Sequence, residues 1–164
     1  MSIDLNKLDE INSMMSQAIT LNLQGQKIMA LSLLDDAIKI AENTNIPFAI
    51  LSMRREWLLP INERDFSRVI PSMEKQIEFY RQEKNTILEI ASLLQLAQLY
   101  CGLLYDFKQA SLVIDELEKL LVFFTSAGRA GKVNKREEDD NISDTLENCI
   151  KEIKKLKDYI HLHN

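Results

Sequence analysis

The chain has 164 residues, a length that suits one domain or a short array with one continuous core. Apolar residues make up 46%, which excludes compositional disorder, and only 4 glycines and 3 prolines beside abundant Leu, Ile, Lys and Glu argue against a turn-rich β fold. The formal net charge of −5 argues against broad contact with a nucleic-acid backbone, so no nucleic acid is expected as a partner.

Asp4 to Leu23 reads as the first helix, with Leu5, Leu8, Ile11, Met15, Ala18 and Leu21 on one apolar stripe. Gly25 breaks it. A second helix runs from Lys27 to Glu42 with Ala30, Leu33, Leu34, Ala37 and Ile40 inward. After a loop at Asn43 to Asn45, Pro47 suits the first turn of a third helix reaching Asn62, with Ile50, Leu51, Trp57, Leu58 and Ile61 inward and Pro60 kinking or ending it.

Asp65 is a good cap for a fourth helix running to Lys84. Pro71 lies inside it, so either the helix kinks there or it starts at Pro71 after an irregular turn. The fifth helix spans Thr86 to Leu104 and is weakened near its end by Gly102. Asp106 caps the sixth, Phe107 to Thr125, where Ala110, Ile114 and Leu117 recur at helical spacing. Residues 126–141 lose all periodicity. They hold Gly128 and Gly131, then Arg129 to Arg136 followed by Glu137 to Asp140, and read as a mobile, protease-sensitive charged linker. The last helix, residues 142–164, carries Leu146, Cys149, Ile153, Leu156 and Ile160 at alternating spacings of three and four, an apolar seam.

No catalytic constellation stands out. There is no phosphate-cradling glycine loop and no nucleophile elbow. The only histidines, His161 and His163, sit at the C-terminal end and read as a frayed tail. Cys101 and Cys149 read as buried free thiols, with a disulfide between them as the alternative. The chain is therefore expected not to be an enzyme and to need no cofactor or metal. Its polar, acidic N-terminus does not read as a signal peptide, and no apolar run approaches the ~18 residues needed to span a bilayer. A cytoplasmic protein without a membrane partner is the expectation.

Three turn-to-helix stretches align on Ala30, Val69 and Ala110, which stand 39 and 41 positions apart. Each is followed by apolar positions (Leu34 and Ala37, Met73 and Ile77, Ile114 and Leu117), and preceded about twelve residues back by Ala18, Trp57 and, shifted by one, Ala97. A period near 40 in a helical chain points to an α-solenoid. Ala97 and Tyr100, followed by Asp106, Phe107 and Ala110, resemble the tetratricopeptide-repeat pattern, in a variety longer than its basic unit of about 34 residues. Tyr105 stands where that family has its turn glycine, and the middle stretch departs furthest, with Val69 for the small residue and two prolines.

The resemblance covers roughly residues 5–125. It implies an all-α fold: a short right-handed α-solenoid of three antiparallel helix pairs over residues 1–125, with the last helix as a cap. It also implies a protein–protein interaction module, such as an adaptor, a holding chaperone or an immunity-type inhibitor, that grips a partner segment in its concave groove. The first helix of each pair would line that groove, which makes Met15, Ile19, Arg55, Leu59, Gln95 and Gln98 the partner-binding candidates. The family's carboxylate clamp is absent. Arg54, Arg55, Arg64 and Arg68 around Trp57 are either a cationic and aromatic anchor for an acidic peptide or a solvated face with Trp57 in the core. A structural subunit that oligomerises through the last helix is the alternative reading of function.

Overall fold

The computed structural model describes residues 3–130 and 138–163, and these are helical almost throughout. Among them there are seven α-helices and no strand: α1 Leu5–Leu23, α2 Lys27–Thr44, α3 Ala49–Leu58, α4 Ile70–Gln82, α5 Thr86–Gly102, α6 Phe107–Ala130 and α7 Glu138–His163. Short 3-10 turns at Ile61–Glu63 and Phe66–Val69 separate α3 from α4. The chain forms two compact units, Met1–Phe79 and Tyr80–Asn164.

In the first unit α1 packs along α2, and α2 against α3. The Asp4 carboxylate accepts the amides of Asn6 and Lys7, which starts α1. The helix closes on Gly25 at φ +77°, where the Gln26 amide reaches the Leu21 carbonyl (2.8 Å) and the Gly25 amide that of Asn22 (3.0 Å). That pairing satisfies two end carbonyls and needs a left-handed residue between them. The core joins Ile11, Ala18, Ala30, Leu34 and Ala37 with Ile46 and Leu51.

The middle of the chain departs from the periodic reading. Helix α3 stops at Leu58 rather than Asn62, and a separate turn at Ile61–Glu63 follows Pro60. Pro71 lies in the first turn of α4, where its missing amide costs nothing. Of the side chains expected inward on α3, Leu51 is buried and Leu58 packs against the core, but Ile50, Trp57 and Ile61 are exposed. Glu56 is buried instead, 2% exposed. The linker expectation falls partly on residues 131–137, which lie outside the described residues; on either side of them α6 continues to Ala130 and α7 already begins at Glu138.

In the second unit α5 is buried on several faces, through Ile90, Leu93, Leu96, Ala97, Leu99 and Cys101, and is packed by both α6 and α7. Buried Glu89 in its first turn meets Arg81 Nε at 2.9 Å, and the same guanidinium reaches Glu116 on α6 at 2.8 Å. The seam of α7 is turned inward at Cys149, Ile153 and Ile160. Both cysteines are free and buried, and burial pushes their thiols up, which keeps them protonated and inert. Helix α7 reaches His163. The His163 Nδ1 donates to the Tyr159 carbonyl (2.8 Å) and its ring stacks on Tyr159, with centroids 4.1 Å apart.

The turn between α5 and α6 carries a misplaced glycine. Asp106 caps α6 as expected, accepting the Gln109 amide at 3.1 Å. The left-handed position is Tyr105, at φ 53° and exposed, whereas Gly102 sits inside the helix with open space where a Cβ would be. A bulky residue at positive φ is strained, and a helical glycine wastes entropy. Tyr105→Gly and Gly102→Ala should each stabilise the chain by about 0.5–1 kcal/mol. Thermal melts of the single and double variants check this; a fall in midpoint for Tyr105→Gly would mean that the tyrosine ring, not the backbone, decides the turn.

Candidate binding groove in the first unit

Two hollows on the first unit differ in chemistry. The first, of about 330 Å³, is formed where α1 and α3 lie over Leu34 of α2. Its floor is Ala18 and Leu34, each 1% exposed. Its walls are Ile19, Asn22 and Leu23 from α1 and Arg54, Trp57 and Leu58 from α3. On each helix those wall residues stand at i, i+3 and i+4, the spacing that places side chains on one face.

Trp57 is held from behind. Phe66 packs on it with ring centroids 4.9 Å apart, and the Arg64 guanidinium lies 5.0 Å from its ring centre. Arg64 is itself fixed by donating Nη2 to the Trp57 carbonyl and Nε to the Leu59 carbonyl, both at 2.9 Å. A cation on the last carbonyls of a helix is favoured by the helix dipole as well as by the hydrogen bonds. With both neighbours against its ring, Trp57 still leaves 49% of the residue exposed.

The second hollow, of about 360 Å³, is charged and balanced: Asp35, Glu42 and Glu56 face Arg55, Arg68 and Lys75. Buried Glu56 organises it. Its carboxylate lies 3.3 Å from Arg55 and 3.7 Å from Arg68, and accepts the Asp65 amide at 3.0 Å. Arg55 also pairs with Asp35, whose hydrogen bond raises its already high pKa. Asp65 starts the turn at Phe66–Val69, and the two hydrogen bonds it accepts from Ser67 hold its carboxyl below the usual range.

The expected partner-binding residues are distributed as follows. Ile19 lines the apolar groove and is 37% exposed. Met15, one turn earlier, is half-buried and packs against the core. Arg55 lies in the charged hollow, not in the groove with Ile19. Leu59 is half-buried just past the end of α3. Gln95 and Gln98 are exposed on α5 in the second unit. The sequence reading named Arg54 and Trp57 within a cationic and aromatic anchor, but missed Leu23 and Leu58 and did not place the four in one groove with Ile19; the shared i, i+3, i+4 spacing on α1 and α3 was the available signal. Among the described residues no group of three His, Cys, Asp or Glu side chains could hold a metal ion, and no helix is long and apolar enough to cross a membrane. No family model, curated protein or solved structure matches the chain.

Proposed function

We propose that this chain is a protein–protein interaction module that holds a segment of a partner protein, as an adaptor, a holding chaperone or an inhibitor would. In this reading the helices form a short right-handed α-solenoid of antiparallel, tetratricopeptide-like pairs, capped by α7. The observation that carries the proposal is the groove of the first unit, where exposed Ile19, Leu23 and Trp57 gather around one hollow. Exposed apolar side chains scattered singly need no explanation, but a set converging on a concave site does. A tryptophan held rigid beside arginine is also the composition of an interface hot spot. The alternative, oligomerisation through the last helix, has less support, because Cys149, Ile153 and Ile160 of that seam are already buried in the second unit.

The test is Ile19→Asp. Proteins recovered with the chain from cells should be lost with this variant, by at least about 30-fold in affinity if Ile19 is a hot-spot contact of about 2 kcal/mol. The melting midpoint should stay close to that of the unchanged chain, since Ile19 is 37% exposed. Co-purification of a metabolite or nucleic acid with no protein would contradict the proposal. So would a collapse in stability, which would make Ile19 a core residue.

A further inference from the structure

The groove also has a charge preference. Resting on the reading of that groove as a partner site, we infer that its occupant is an acidic and apolar segment of another protein: an apolar anchor seats between Ile19, Leu23 and Trp57, and a carboxylate of the same segment meets Arg54. Four arginines lie between Arg54 and Arg68 in the sequence, and three are engaged. Arg55 pairs with Asp35 and Glu56, Arg64 with the carbonyls of Trp57 and Leu59, and Arg68 with Glu56 and Asp65. Arg54 is exposed and makes no ion pair or hydrogen bond among the described residues. Among the described residues it is also the only charged one lining the groove. In the second hollow three carboxylates offset three cations; in the groove no carboxylate of the described residues lines the wall beside the guanidinium.

An unopposed guanidinium beside an apolar wall favours a carboxylate, because the charge-assisted hydrogen bond is strengthened where water is displaced. Half-buried Asn22, with no side-chain hydrogen bond among the described residues, adds an amide that can donate to or accept from the segment's backbone. The volume of about 330 Å³ is at the low end for ligand sites, which run from about 300 to 1,000 Å³, and suits an anchoring side chain rather than a whole helix.

Trp57 is the single tryptophan of the chain and stands in the groove wall, so its emission reports occupancy. Random dodecapeptides displayed on phage are selected on the full chain, and enriched sequences are made as synthetic peptides. The expected winners carry Leu, Ile or Phe with Asp or Glu within four residues, shift Trp57 emission to shorter wavelength, and bind more weakly as salt rises. Arg54→Glu should weaken them at least tenfold and transfer preference to the same peptide with Lys in place of its acid, while Arg54→Lys retains most of the affinity. Should Arg54→Glu lose its fold by circular dichroism, Arg54→Gln replaces it. Enrichment of neutral or basic peptides, or affinity indifferent to Arg54, overturns the inference. If those peptides still respond to Ile19→Asp, the groove reading survives and only the charge preference fails. If no peptide enriches, or none responds to Ile19→Asp, both fail. Self-association that depends on Arg54 would make a second copy the occupant and also overturn the inference.

Discussion

Removing residues 142–164 should leave the second unit unable to fold. Helix α7 packs on both α5 and α6, and its inward side chains are not marginal contacts. Cys149 and Ile153 are 4% exposed and Ile160 is 7% exposed, and Leu146 and Leu156 of the same seam are half-buried. Burial of a large apolar side chain is worth about 1.5–3 kcal/mol, and deletion also uncovers the surfaces these residues cover. The loss is therefore of the order of the whole net stability of a domain, about 5–15 kcal/mol. Polar contacts such as the ion pair of Lys157 with Glu118 (2.7 Å) are exposed and add little. The single substitution Ile153→Asp should act in the same direction, costing more than about 4 kcal/mol by placing a charge in an apolar seam. The readout is thiol labelling. Cys101 is protected in the intact chain and should react in the truncated one, while Trp57 in the first unit tells whether the loss spreads. A truncated chain with a sharp thermal transition and a protected Cys101 would mean that α7 is an appendage.

Most helices were readable because their buried faces follow helical spacing and their ends carry local signals. The spacing of Leu8, Ile11, Met15 and Ala18 locates α1, and Asp106 locates the start of α6. The seam of α7 was equally legible, although hydrophobic spacing alone did not say that α6 runs on to Ala130 or that α7 starts at Glu138. Extending a formed helix is cheap once nucleated, so polar residues join its end without any apolar signal.

The middle of the chain was not legible in this way. Aligning on Val69 put Trp57 in the core, one residue away from the side chain that is buried there. Glu56 stands thirteen residues before Val69, as Ala97 stands thirteen before Ala110. A pattern that counts apolar residues turns a glutamate outward. What brings Glu56 in is a set of donors from other segments, chiefly the Asp65 amide nine residues on. The groove was half legible for the same reason: Ile19 was visible as an apolar residue on an outer face, but the role of Trp57 depends on Phe66 and Arg64, which only the fold brings to it.

Glu56→Ala should destabilise the first unit by about 2–4 kcal/mol and weaken the groove, although Glu56 lines only the other hollow. With the carboxylate gone, the Asp65 amide loses its acceptor and Arg55 and Arg68 lose the anion between them. Leaving partners of a buried charge unmet costs more than the original pair contributed. Glu56→Gln keeps an acceptor for the Asp65 amide and loses only the charge, so it should cost less, about 1–2 kcal/mol. Arg68→Ala, at a side chain 56% exposed, should cost under about 1 kcal/mol. Urea titrations followed by Trp57 emission rank the three. The effect on binding follows from connectivity. Glu56 anchors Asp65, Asp65 starts the turn that carries Phe66, and Phe66 with Arg64 backs the exposed ring of Trp57. Glu56 is thus a positioning residue for the groove: Glu56→Ala should lower affinity for a groove peptide in the protein that remains folded, and Glu56→Gln, which keeps the acceptor for the Asp65 amide, should restore most of it. If Glu56→Ala matches the unchanged chain in affinity, the corner holds Trp57 without it, and packing of Phe66 alone is enough.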